Sequence, residues 1–337
     1  MTLPVDADGK ATELRPFSGA ATPHMLAFHL SWLSLFARFF SALSPPPLLP
    51  LIRDSLSLTD SVASFSGIVL ARLLIGPVCD LLGPRAATAA VSLSTAPFVF
   101  ALSAVGSPAA FIAVRFFIGF SLAGFVSNQH WMSSLFSADV VGFANGVSAG
   151  WANTGCGAAQ LLMPMVYSCV VAAFAGVPSA TAWRTAFFVP GALQTVTAVA
   201  VQSMGRMRLR LDTGPHIRVL LRGGTNGGQC IAGYLYDRFD VGIRRAGVLA
   251  VVFGLMNLVS RPLGGVVSDA MGRRFGMKGR LWSLYLVQTL AGLLCVLLGR
   301  VGSVKATVGV MLGFSLFVQA ASGLTFGVVP FVSKRCV

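Results

Sequence analysis

Two arginines open matching phrases in this chain: Arg72-x-x-x-Gly76-x-x-x-Asp80-x-x-Gly83-x-Arg85 and Arg261-x-x-x-Gly265-x-x-x-Asp269-x-x-Gly272-x-Arg274. Each arginine precedes its Asp by eight residues, a depth of about 12 Å along a helix. Both phrases close strongly apolar stretches, so both guanidinium groups fall near a bilayer midplane, where a charge is costly unless it meets a polar cavity or a partner. Carboxylates are not at hand. The one Glu, Glu13, stands in the N-terminal tail, Asp80 and Asp269 are at helix ends, and the other Asp residues are in the tail or loops. An arginine that snorkels or pairs structurally is the competing use, but snorkelling from mid-membrane is hard. Two planar, permanently charged forks related by repeat symmetry suit a small planar oxyanion held from both sides.

The elements that must position these groups are transmembrane helices. Hydrophobic residues make up 55% of the chain and charged residues 11%, with a mean hydropathy of +0.77, far from an ordinary soluble domain. The predicted fold is all-α and polytopic, with about nine spans near 25–49, 62–82, 87–105, 109–132, 144–173, 183–203, 246–268, 281–299 and 307–332. Short separators make consecutive helices neighbours in one bundle. The net charge of +14 sits in clusters between apolar runs, which orients spans and does not indicate nucleic acid. The tail, with Asp6, Asp8, Lys10 and Glu13, lacks the basic start and apolar core of a cleaved signal. Cys79, Cys156, Cys169 and Cys295 lie in apolar runs without metal-type spacing, as packing residues do. No metal or cofactor site is expected.

Four parts follow: a cytoplasmic tail (1–24), a six-helix half (25–203), a basic and Gly-rich linker (204–245), and a partial second half of three spans (246–337). The basic residues after the two phrases, Arg85 in one and Arg273, Arg274, Lys278 and Arg280 in the other, belong on the same side of the membrane. With nine spans the two phrases exit on opposite sides, so one span is expected to be missing between 201 and 246, and two more after Val337.

Gly76, Asp80, Gly83 and Arg85, like Gly265, Asp269, Gly272 and Arg274, form a gating device in this reading, each carboxylate locking neighbouring helix ends with the Arg that follows; a static staple is the equal alternative. The run 149–164 carries Gly150, Asn153, Gly155 and Gly157. In water it would be a loop; within an apolar span its small residues let another backbone approach, and Asn153 can present an amide there. Arg38 and Arg115 are left open between facing a cavity and reaching a membrane surface.

These residues closely resemble the nitrate/nitrite porter family of the major facilitator superfamily, and look most like its eukaryotic high-affinity nitrate transporter branch. The likeness runs from Phe28-His29-Leu30-Ser31-Trp32 through Trp131-Met132, Gly150-Trp151-Ala152-Asn153, Trp183-Arg184-Thr185-Ala186-Phe187 and Gly276-Met277-Lys278-Gly279-Arg280 to Val329-Pro330-Phe331. It implies two pseudo-symmetric six-helix halves with one site between them, worked by alternating access. It also implies that Arg72 and Arg261 hold nitrate, or nitrite, with Phe125 packed on the anion and Asn153 as the signature amide. Plasma-membrane location and coupling to protons come with it, through His130 or water since the spans hold no carboxylate; the need for an accessory subunit stays open. Ala152 and Cys156 stand where the family usually has Gly, Arg38 is an unexpected charge, and 204–228 replaces most of span seven. The function expected is transport and not catalysis: no dinucleotide fingerprint, metal spacing or nucleophile elbow is present. The alternative is a shortened, non-transporting membrane protein that misfolds or modulates a full-length homologue.

Overall fold

The computed structural model describes residues 3–17, 22–56, 79, 81–174, 176–204, 251–252, 254–301 and 303–332. Arg72, Gly76 and Asp80 lie outside the described residues, as does most of 204–245. Among the described residues ten α-helices follow in order: α1 Pro23–Ala42, α2 Leu49–Leu56, α3 Pro84–Ala101, α4 Pro108–Gly119, α5 Gly124–Leu135, α6 Val141–Ala173, α7 Ser179–Ala186, α8 Phe188–Ser203, α9 Asn257–Arg300 and α10 Val304–Val332. Their starts are written locally. Pro23, Pro84 and Pro108 occupy first-turn positions, where the missing N–H is no loss. The side chains of Thr22 and Ser107 accept from the N–H groups of Met25 (3.4 Å) and Ala110 (3.3 Å). Among the described residues there is no sheet, only isolated bridges of Ala11 with Val5 and Phe136.

Among the described residues seven stretches are long and apolar enough to cross a bilayer: Pro23–Leu56, Pro84–Ala104, Pro108–Leu135, Val141–Ala173, Ser179–Ser203, Asn257–Arg300 and Ala306–Val329. The count reconciles with nine expected spans in two ways. The stretch 62–82 is mostly outside the described residues, and the stretches 246–268 and 281–299 both run into α9. That helix is divided at Gly276, whose φ of 62° and ψ of −149° are non-helical. The chain doubles back there: a Cβ on Gly279 would lie 2.5 Å from the carbonyl oxygen of Met271, whereas eight residues of straight helix separate groups by about 12 Å. Almost only glycine adopts this backbone conformation. Gly276→Ala is expected to destabilise the protein by about 1–3 kcal/mol, read as a lower midpoint of thermal unfolding in detergent; an unchanged midpoint would show that the turn relaxes freely.

Helices of the first half bury their own core, where Trp183, Phe187, Phe111 and Met163 meet Ile52 and Leu102, and a second cluster gathers Phe28, Trp131, Met132 and Phe136. Polar side chains join the same helices. Asn128 donates to the Ser31 hydroxyl at 2.6 Å and accepts from Ser148 at 3.1 Å, tying α1, α5 and α6; Thr88 donates to Ser127 at 2.9 Å. In hydrocarbon such groups must find partners inside the bundle. The tail is seated on the α5–α6 turn, where the Ala11 N–H donates to the Leu135 carbonyl (2.9 Å) and Ser137 donates to the Ala11 carbonyl (3.0 Å). Opposite the core, α9 exposes Leu281, Trp282, Leu286, Leu293 and Val296, a surface fitted to lipid and costly in water.

The two halves meet where α9 and α10 pack against α6. Glycine permits the approach. A Cβ at Gly146 would meet the Arg261 carbonyl oxygen at 2.6 Å, and one at Gly150 would collide with the Asn257 carbonyl oxygen. On the other side of α9, Gly264 abuts the Ala320 carbonyl and Gly323 abuts that of Arg261. Side chains at these positions would wedge the helices apart: Gly146 and Gly150 set the distance between the halves, and Gly264 and Gly323 that between α9 and α10.

Candidate functional site

Arg261 occupies the centre of this junction. Its helix α9 runs between α6 and α10, and the glycines on both neighbours bring three backbones close around it, leaving the side chain 1% exposed. Nε donates to the Oε1 of Gln319 on α10 at 3.1 Å. The guanidinium carbon stands 5.9 Å from the centroid of Phe125 on α5, within cation–π range. Phe125 is itself wedged between Phe326 of α10 (5.2 Å) and Phe39 of α1 (6.3 Å). Nη1 is buried and has no hydrogen-bond partner among the described residues. A guanidinium held by one neutral amide and one aromatic face, with a donor to spare, is arranged to receive an acceptor that carries negative charge.

The signature helix places its residues as spacing implies. Gly146, Gly150, Asn153 and Gly157 share one face of α6, and three of them meet α9 or the segment before it: Gly146 and Gly150 as above, and Gly157, which a Cβ on Gly254 would meet at 3.5 Å. Gly155 faces the other way, where a Cβ would meet the Phe36 carbonyl oxygen of α1 at 2.5 Å. Asn153 is buried, and its Oδ1 accepts from the Cys156 thiol at 3.3 Å. Among the described residues the Asn153 side chain makes no hydrogen bond to another helix.

The gating residues need one correction. The expected partner of Asp269 was Arg274, but Asp269 pairs with Arg280 at 2.8 Å, while Arg274 is exposed and lies over Phe275 at 5.5 Å. The cause is the turn at Gly276: reversal of the chain carries Arg280 back beside the end of the first α9 segment, and residues 272 and 280 touch. Asp269 also accepts from the N–H groups of Gly142 (3.2 Å) and Phe143 (2.7 Å). The carboxylate thus sits at the N-terminus of α6, which favours negative charge. Arg280 adds bonds to Ser268 (3.0 Å) and to the Gly327 carbonyl (3.1 Å), and stacks over Phe331 at 4.6 Å. Gly265 lies against the Gly142 carbonyl and Gly272 against the Arg280 side chain, so the second phrase builds one clamp across α6, α9 and α10. In the first phrase Gly83 turns the chain at φ 78°, and Arg85 Nη1 donates to the Gln202 carbonyl at 3.3 Å.

Arg115, left open by sequence, braces the end of α1 by donating from Nη1 to the Ala42 carbonyl at 2.9 Å. Arg38 is fully buried and does not reach a membrane surface. Two residues escaped sequence reasoning. Gln319 is the polar side chain that orients Arg261, and its signal was available as an amide in the middle of an apolar run. Arg280 was grouped with the basic loop residues because its burial depends on the turn at Gly276.

The helical bundle, with a buried guanidinium where its two halves cross, has the fold of solved membrane transporters. The human organic anion transporter MFSD10 (TETRAN) superposes with a TM-score of 0.66 at 14% identity, over 92% of this chain and 86% of its own. A bacterial homologue of the iron transporter ferroportin gives a TM-score of 0.56 at 15% identity, over 92% and 85%. No protein-family model matches the chain. High affinity nitrate transporter 2.7 of Arabidopsis thaliana is 49% identical over 99% of this chain and 77% of its own length. High-affinity nitrate transporter 2.3 of Oryza sativa subsp. japonica is 48% identical over 99% and 71%, and nitrate transporter 2.1 of Chlamydomonas reinhardtii 39% identical over 98% and 67%. The chain belongs to the high-affinity nitrate transporter family of plants and algae; it is a transporter-family membrane protein and not an enzyme. The alignments span 370 to 389 positions, more than the 337 residues of the chain, so these relatives carry segments that have no counterpart here.

Proposed function

We propose that this protein moves nitrate, and nitrite as its smaller analogue, across the plasma membrane by alternating access. Arg261 carries the reading: a buried, unneutralised guanidinium with a spare donor at the junction of the two halves is built for an anion. The anion is held between Arg261 and its repeat-related partner Arg72, with Phe125 excluding water on one side and Asn153 lining the α6 face. The clamp of Asp269 and Arg280 on the N-terminus of α6 closes one end of the path, and opening that end requires the clamp to part. In this reading the chain divides near 24, 203 and 245 into a tail, a six-helix half, a linker and a partial second half.

Coupling to protons belongs to the same proposal. Among the described residues the buried carboxylate is Asp269, which the clamp engages, so His130 on α5 is the proton-carrying side chain in this scheme. The test is uptake of labelled nitrate by vesicles containing the full chain, with and without an inward proton gradient. Saturable uptake that rises with the gradient is the expected result. Uptake that ignores the gradient would remove the coupling, and a signal equal to empty vesicles would remove transport. Repeating the assay with co-expressed candidate subunits decides whether an accessory protein is required.

A further inference from the structure

Arg38 is a second buried cation for which the site around Arg261 has no use. It sits on α1 with 0% exposure, and its Nε donates to the Ser34 carbonyl one turn away at 3.3 Å. Both terminal nitrogens, Nη1 and Nη2, are buried without a hydrogen-bond partner among the described residues. That leaves the whole two-pronged edge of the guanidinium unsatisfied. A buried ammonium or guanidinium in a membrane protein is ordinarily paired, yet the buried carboxylate among the described residues, Asp269, belongs to Arg280.

The chain makes room for this group. Gly124 opens α5 directly against it, and a Cβ there would collide with Nη1 of Arg38. Phe125, the next residue, turns its ring to Arg261 on one side and to Phe39, the neighbour of Arg38, on the other. The two guanidinium groups therefore flank a single backbone step of α5. Resting on the nitrate reading above, we infer that Arg38 forms a second anion-binding station beside the central one, taking a small planar monovalent oxyanion through the Nη1–Nη2 edge. Two parallel N–H groups match two oxygens of such an anion and not a spherical halide. The neighbouring stations allow an ion to pass from one cation to the next, because weak binding at several sites favours departure as well as entry.

The test is nitrate binding by calorimetry to the purified full chain in lipid nanodiscs. The wild type is expected to bind two nitrate ions, Arg38→Met one, and Arg261→Gln one. Arg38→Met with unchanged stoichiometry, loss of all binding in that variant, or a single ion in the wild type would each overturn the second station. Arg261→Gln retaining both ions would instead overturn the central-site reading and leave the Arg38 station standing. If Arg38→Met does not fold, Arg38→Lys decides: the charge stays but the fork is lost, so the second binding step weakens while the first is unchanged. Equal affinities at both steps in Arg38→Lys and wild type would reject the fork as the ligand.

Discussion

Arg261→Lys is expected to lose high-affinity nitrate uptake although the positive charge is kept. An ammonium cannot donate to Gln319 and present a planar pair of donors to the anion at once. Losing one charge-assisted hydrogen bond costs about 1.5–3 kcal/mol, which is a tenfold or greater rise in the half-saturating concentration. Arg261→Gln, which also removes the charge, should abolish uptake altogether. Concentration-dependent uptake, normalised to the amount of protein in the membrane, distinguishes the two. Half-saturation equal to wild type in the Lys variant would show that Arg261 holds the helices together and does not bind the substrate.

Removal of Arg280 should do the greatest damage to stability. Arg280→Met leaves Asp269 buried and ionised with only the Gly142 and Phe143 N–H groups for company, and breaking a buried pair from one side costs about 3–5 kcal/mol. Arg274→Met removes an exposed side chain and should change little. Thermal unfolding in detergent is the measurement, with Arg280→Met unfolding well below Arg274→Met. Equal midpoints would mean that the clamp is solvated and weak. The double variant Asp269→Leu with Arg280→Met should regain part of the loss, because two apolar groups replace a pair whose burial was itself expensive.

How much of this was legible in one dimension depends on the range of the force concerned. The spans came from a local signal, long apolar runs; the Pro, Ser and Thr residues that start the helices are equally local but went unread. The burial of Arg261 was legible because charge in hydrocarbon is expensive wherever it falls, so its mere position in an apolar run was informative. The glycines of α6 were legible for a related reason, since small residues in a membrane helix have few uses other than close approach. The pairing of Asp269 was misread because spacing to Arg274 looked local, whereas the true partner is brought back by a backbone conformation at Gly276 that leaves no mark beyond the glycine itself.

Sequence by itself determined that this protein is a bundle of membrane helices and that Arg261, a charge within an apolar run, is buried inside it. These follow from transfer free energies, which each residue carries regardless of its neighbours. Tertiary structure alone decided which groups share the junction: Gln319 and Phe125 around Arg261, Arg280 on Asp269, and Gly124 opening a space for Arg38. Such contacts depend on the crossing of helices far apart in the chain, and helix packing selects among many partners of equal hydrophobicity by shape and hydrogen bonding at close range.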